Sequence, residues 1–159
     1  DDDPVGNNDA GAINEDKTLT VSAGSGVLSN DTDADASSSL SVSAISGGTV
    51  GQALNGTYGV LTLSSDGSYT YVANGRGEDA LAADATVTDT FTYTVSDGAG
   101  TTATADLVIA VTGVGPRAVA DTGAVNEDAT LTVNEASGVI SNDDDNASYD
   151  VESLAITGI

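Results

Sequence analysis

The sequence predicts an all-β protein: a sandwich of about seven short strands, present once in full and begun a second time. Three observations point there. The chain starts the same passage twice, PVGNNDAGAINEDKTLTVSAGSGVLSND from Pro4 to Asp31 and PRAVADTGAVNEDATLTVNEASGVISND from Pro116 to Asp143, at a constant offset of 112 residues with 17 of 28 positions identical. Apolar residues alternate with Ser and Thr in short runs, which is the period of a half-buried strand. Those runs are separated by Asp-Gly and other Gly-rich turns, and helical periodicity is nearly absent. A unit of this length is a full domain. Residues 1–114 therefore read as one complete repeat with an N-terminal linker. Residues 115–159 read as a linker and the opening strands of an incomplete second copy in a tandem array.

The elements follow in order. Asp1 to Pro4 reads as linker, and Gly113 to Arg117 is its counterpart one repeat later. Ala12–Ile13 and Leu19–Val21 form a first strand broken by Asn14-Glu15-Asp16-Lys17. Gly26, Val27 and Leu28 make a short apolar plug before an acidic loop. Leu40, Val42 and Ala44 alternate with Ser as a half-buried strand. Tyr58–Leu63 and Ser68–Val72 flank Ser65-Asp66-Gly67, a hairpin whose Gly tolerates positive φ. Gly77 to Ala85 is the one stretch expected to be helical, for about two turns. Phe91, Tyr93 and Val95 alternate with Thr, turn at Ser96 to Gly100, and return as Ala103 to Val111 in a second hairpin.

Composition narrows the function. The formal net charge is −22, with 25 acidic residues against Lys17, Arg76 and Arg117. Nucleic acid and anionic membrane both require a basic face, so neither is a partner. A compact chain so charged repels itself, and a divalent cation offsets that repulsion; the alternative is that the charge only keeps a secreted protein soluble. Cys and His are absent, which removes disulfides, thiolate sites, most zinc chemistry and the Ser-His-Asp arrangement. No apolar run is long enough to span a membrane, and no signal peptide is present. Asp79, Asp84 and Asp89 could be imagined as acid/base carboxylates. Paired carboxylates that hydrolyse glycosides need an aromatic-lined cleft, and this chain has no Trp and few rings. The reading is not an enzyme. Tyr58, Tyr69, Tyr71 and Phe91 are expected in the core instead.

The sharpest motif is Asn30-Asp31-Thr32-Asp33-Ala34-Asp35, with Asp31, Asp33 and Asp35 at alternate positions. In an irregular loop that spacing can turn three carboxylates onto one centre, and Ca2+ is the hard, oxygen-seeking cation that suits it. Ala36 stands where an EF-hand has Gly and no Glu follows at the twelfth position, so this is not an EF-hand. The competing reading is a solvated acidic loop. The second copy keeps Asp143 and Asp145 but has Ala147 at the third position, so a weaker or differently built site is expected there. Asp9 recurs as Asp121, and Glu15-Asp16 recurs as Glu127-Asp128. These are either further ligands at the junction between domains or charges that guard a strand edge. Asp66 and Asp97 sit in tight turns that need no metal.

The blocks NEDKTLTV, GVLSNDTDAD, LSVSAISGGTVG, GVLTLSSDGSYTYVAN and ALAADATVTDTFTYTVSDGAGTTATADLVIAVTG, restarting at NEDATLTV and GVISND, resemble the VCBS repeat family and, more loosely, the cadherin-like repeats of large bacterial surface proteins. The resemblance covers nearly the whole chain. It implies an Ig/cadherin-like β-sandwich serving as a calcium-stiffened structural extender of a secreted, RTX-type adhesin on the bacterial cell surface, in adhesion or biofilm attachment. Its partners would be neighbouring repeats of the same polypeptide, with a surface glycan or protein engaged by other domains. The alternative is a glycan- or protein-recognition module.

Overall fold

The computed structural model describes residues 2–35, 39–74, 81–115 and 120–133. Its strands are β1 (Asp9–Asn14), β2 (Thr18–Val21), β3 (Ser41–Ile45), β4 (Ala53–Asn55), β5 (Val60–Leu63), β6 (Tyr69–Val72), β7 (Thr86–Ser96) and β8 (Thr102–Thr112). They form two four-stranded sheets, in the orders β1-β8-β7-β3 and β2-β6-β5-β4. All pairings are antiparallel except β1 with β8, which run parallel from Asp9↔Leu107 to Asn14↔Thr112.

One core lies between the sheets. β7 contributes Phe91, Tyr93 and Val95, and β8 contributes Ala105, Leu107, Ile109 and Val111. Leu61 and Leu63 of β5 and Tyr69 and Tyr71 of β6 meet them from the other sheet. Thr residues between the core positions of β7 face solvent, so one alternation supplies both the apolar face and the soluble one. Tyr71 and Phe91 meet edge-on, with ring centroids 6.2 Å apart. Tyr69, Tyr71 and Phe91 are buried as expected, and Tyr58 is half-buried against the core.

The two hairpins, the plug and the broken first strand form as read. Gly67 sits at φ 83° in the β5–β6 turn, where a side chain would be strained. Val27 is fully buried, its N–H held by the Gly67 carbonyl at 3.0 Å. The first strand changes sheets at Glu15-Asp16-Lys17, so β1 edges one sheet and β2 edges the other.

Three details differ from the expectations. The described strands number eight, the additional one being β4, whose three residues are too few to show an alternation. In β3 a bulge between Val42 and Ala44 resets the register, so Ile45 rather than Ala44 enters the core. The helical stretch expected over 77–85 is not helical in its described part. Asp84 has φ 64°, which a right-handed helix excludes, and its N–H donates to the Gly113 carbonyl at 2.9 Å. Residues 77–80 lie outside the described residues.

Candidate functional site

The polar chemistry of the sandwich gathers at its two ends. At the entry end, residues 2–8 are strapped down rather than free as a linker would be. Val5 and Thr32 exchange both backbone hydrogen bonds, at 2.7 and 3.1 Å. The Asp2 N–H donates to Asp35 Oδ2 at 2.8 Å, and the Asn7 N–H to Asp31 Oδ1 at 2.6 Å. Asn7 Nδ2 donates to the Asn30 carbonyl, and Asn30 Nδ2 donates to the Asn8 carbonyl. Pro4, expected in a linker, is buried.

Beneath the strap lies a hub around the Tyr93 hydroxyl. Four acceptors surround it: Asp9 Oδ2 at 2.8 Å, the Val27 carbonyl at 3.0 Å, and the Asn7 carbonyl and Asp31 Oδ2 at 3.3 Å. One hydroxyl proton serves only one strong bond at a time. Burial pushes the Asp9 carboxyl above the usual carboxylate range; the Tyr93 bond works against that rise, and repulsion from Asp31 adds to it. Burial likewise raises Asp31, opposed by its bonds from Asn7 and Tyr93. The Tyr93 hydroxyl is held protonated far above its ordinary range by burial and by the two carboxylates. Lys17, the sole basic side chain among the described residues, is at the opposite end.

Asp31, Asp33 and Asp35 do not converge on one centre. Asp31 turns inward to the hub, Asp33 Oδ1 accepts the Asp35 N–H at 2.7 Å, and Asp35 accepts from Asp2. Among the described residues, no group of three or more Asp or Glu side chains is arranged to hold a metal. The donor set of the hub is nevertheless all oxygen: two carboxylates and two carbonyls with no cationic side chain beside them. That chemistry fits a hard divalent cation such as Ca2+.

At the exit end, Glu15 is buried, so it does not act as an exposed edge charge. Its carboxylate accepts the Val114 N–H, and its own N–H donates to the Thr112 carbonyl at 2.9 Å. Asp16 takes φ 59° to turn the chain between sheets, its N–H on the Ala73 carbonyl at 2.9 Å. One repeat later Asp128 takes φ 61°, while Asp121, Glu127 and Asp128 are exposed. Asp143 and Asp145 lie outside the described residues.

Three other carboxylates serve the fold. Asp89 is buried and accepts the N–H groups of Thr57 and Tyr58 and the Tyr71 hydroxyl, at 2.9, 3.0 and 2.7 Å. Gly56 lies so close to this carboxylate that a Cβ would collide with it. Asp97 caps its own turn, accepting from Ala99, Gly100 and Thr101. Burial acts to raise its pKa, and those bonds outweigh it and hold the carboxyl below the usual range. Asp66 is lowered by the hydroxyl and N–H of Ser68.

The sequence reading singled out Asp9, Asn30 and Asp31 but missed their meeting point, Tyr93, and the partner Asn7. Tyr93 is the middle aromatic position of a core-facing run, so its pattern signals packing. Nothing in that pattern shows that its hydroxyl end reaches polar ground.

Two packed sheets with the aromatics buried between them define a β-sandwich module. The chain belongs to the bacterial cadherin-like domain family, which matches residues 1–113. Cadherin-like domains are typically extracellular, adhesion-type modules. Among solved structures, the chain is similar to the crystal structure of the protocadherin GammaB4 extracellular domain, with a TM-score of 0.37 and 13% identity. The likeness covers 77% of this chain and 19% of that one. The comparison with curated proteins returns no match.

Proposed function

We propose that this chain is an extender repeat of a bacterial surface or secreted adhesin, stiffened by calcium at its acidic ends, that holds a binding domain at a distance in adhesion or biofilm attachment. The observation that carries this reading is the entry-end hub. Buried Asp31 and half-buried Asp9 share an all-oxygen site with the carbonyls of Asn7 and Val27, and burial raises both carboxyls above their ordinary range. A divalent cation would offset the cost of burying both charges and the lesser repulsion of Asp9 by Asp31. Asp9 and Asp31, with the carbonyls of Asn7 and Val27, are the groups that would hold it. Family membership and the repeated sequence support an extender. The buried aromatics disfavour the glycan-recognition alternative, which needs exposed rings.

Extracellular modules bind calcium with Kd of about 10⁻⁴–10⁻³ M. At ten times Kd, one site adds roughly 1.4 kcal/mol of stability. Calorimetric titration with CaCl2 tests the assignment. Saturable binding in that range, lost in Asp31→Asn, supports it; unchanged binding in Asp31→Asn removes the hub from the account.

A further inference from the structure

We propose a further function for this fold: the repeat carries tension, with β1 and β8 forming a shear clamp that Glu15 locks at the exit end. The inference rests on the extender reading for its biological use, but the clamp itself requires no metal.

The load path follows from the topology. The chain enters along residues 2–8 into β1 and leaves along β8 into residues 113–115, and these two strands are neighbours in parallel register over six residue pairs. A pull on the entering chain drags β1 backwards. A pull on the leaving chain drags β8 forwards. The two strands are therefore loaded in opposite directions along their shared axis. Every bond of the ladder must yield together, whereas strands peeled from one end lose their bonds one at a time. Forced unfolding is governed by the unfolding barrier, which this arrangement raises.

Both ends of the ladder are reinforced. At the exit end the Glu15 N–H extends the ladder to the Thr112 carbonyl, and the Glu15 carboxylate takes the Val114 N–H, two residues beyond the last strand pair. This tie holds the leaving chain to the turn that ends β1. At the entry end, tension first meets the strap: Asp2 on Asp35, Val5 on Thr32, and Asn7 on Asp31. The bond from Glu15 to Thr112 also fixes the parity of β1. Asp9, Gly11 and Ile13 direct their backbone groups to β8, while Ala10 and Ala12 direct theirs to the open edge.

Single-molecule force spectroscopy tests the clamp in two geometries. The chain has no cysteine, so introduced thiols give unique handles. The whole chain is pulled by its two ends. It is also pulled as the double variant Asp3→Cys/Ala99→Cys, whose handles lie at the same end of the sandwich, where the Thr101 hydroxyl meets the Asp2 carbonyl. Both are measured in chelator and in CaCl2. The end-to-end pull is expected to give one high-force event. It releases the roughly one hundred residues between Asp9 and Thr112, about 340 Å at ~3.4 Å per residue. That event is lost in the same-end geometry. Glu15→Ala lowers its force, and Ala12→Pro, which removes only an outward N–H, leaves it unchanged. Equal forces in the two geometries overturn the clamp. A high-force event present only with CaCl2 also overturns it, while leaving the calcium reading standing. An event insensitive to CaCl2 supports the clamp, whose bonds are separate from the hub.

Discussion

Asp89 shows how much of this fold one side chain can hold. Its carboxylate ties β7 of one sheet to the β4–β5 connection and to Tyr71 of the other, through three donors. Asp89→Ala leaves the Thr57 and Tyr58 N–H groups and the Tyr71 hydroxyl without that acceptor. A loss of about 2–4 kcal/mol follows, read as a drop in the urea midpoint. The hub behaves in the opposite sense. Asp66 and Asp97 have folded-state pKa values below the ordinary 3.8, so their contribution is present above it and is lost as pH falls through the lowered values. Asp9 and Asp31 are raised, so the folded state holds more protons than the unfolded one above 3.8, and stability falls as pH rises through their raised values. In chelator, the share of stability that comes from Asp9 and Asp31 is therefore greatest at low pH and is lost as pH rises through their raised values. Asp9→Asn flattens that decline, because the amide keeps an acceptor for Tyr93 without the charge. Identical pH profiles of the parent chain and Asp9→Asn in chelator contradict this assignment.

Glu15 matters for the elements it joins. It closes the turn where the first strand changes sheets and holds Val114 beyond β8. Glu15→Ala is expected to raise amide hydrogen exchange at Val114 and the end of β8, while amides in β5 and β6 keep their protection. Uniform protection across β8 in the variant shows that the tie is dispensable. The elements also show what a sequence can reveal. The long hairpin of β7 and β8 and the shorter one of β5 and β6 were legible, because alternation over many residues and an Asp-Gly turn are local signals. The break at Glu15-Asp16 was legible too, since charges interrupt an apolar run there. β4 was not, because three residues carry no period, and the β3 bulge was not, because register is fixed by the partner strand. The apparent helix over 77–85 matched a composition of Ala, Leu and acids. The pairing of Asp84 with Gly113, across 29 positions of sequence, decided otherwise. For the candidate site, the acidic spacing of Asp31, Asp33 and Asp35 was visible. Their separate partners were not, because those depend on where residues 2–8 lie.

At the scale of the molecule, a net charge of −22 opposes compaction, and carboxylates gather at the ends where the chain enters and leaves the sandwich. Monovalent salt screens such charge diffusely, over a Debye length of about 8 Å at physiological strength. A bound divalent cation neutralises it at the site. Salt alone should therefore raise the unfolding temperature gradually, whereas calcium should act at millimolar levels, where added ionic strength is slight. With net stability of roughly 5–15 kcal/mol for such a domain, one or two occupied sites shift the balance measurably. The deciding measurement is thermal unfolding of the whole chain in CaCl2, in MgCl2 and in chelator at constant ionic strength. The account predicts a rise in the unfolding temperature specific to calcium and diminished in Asp31→Asn. Superimposable curves in all three conditions would contradict it, leaving the acidic ends as solvated surface and the repeat as a spacer that needs no metal.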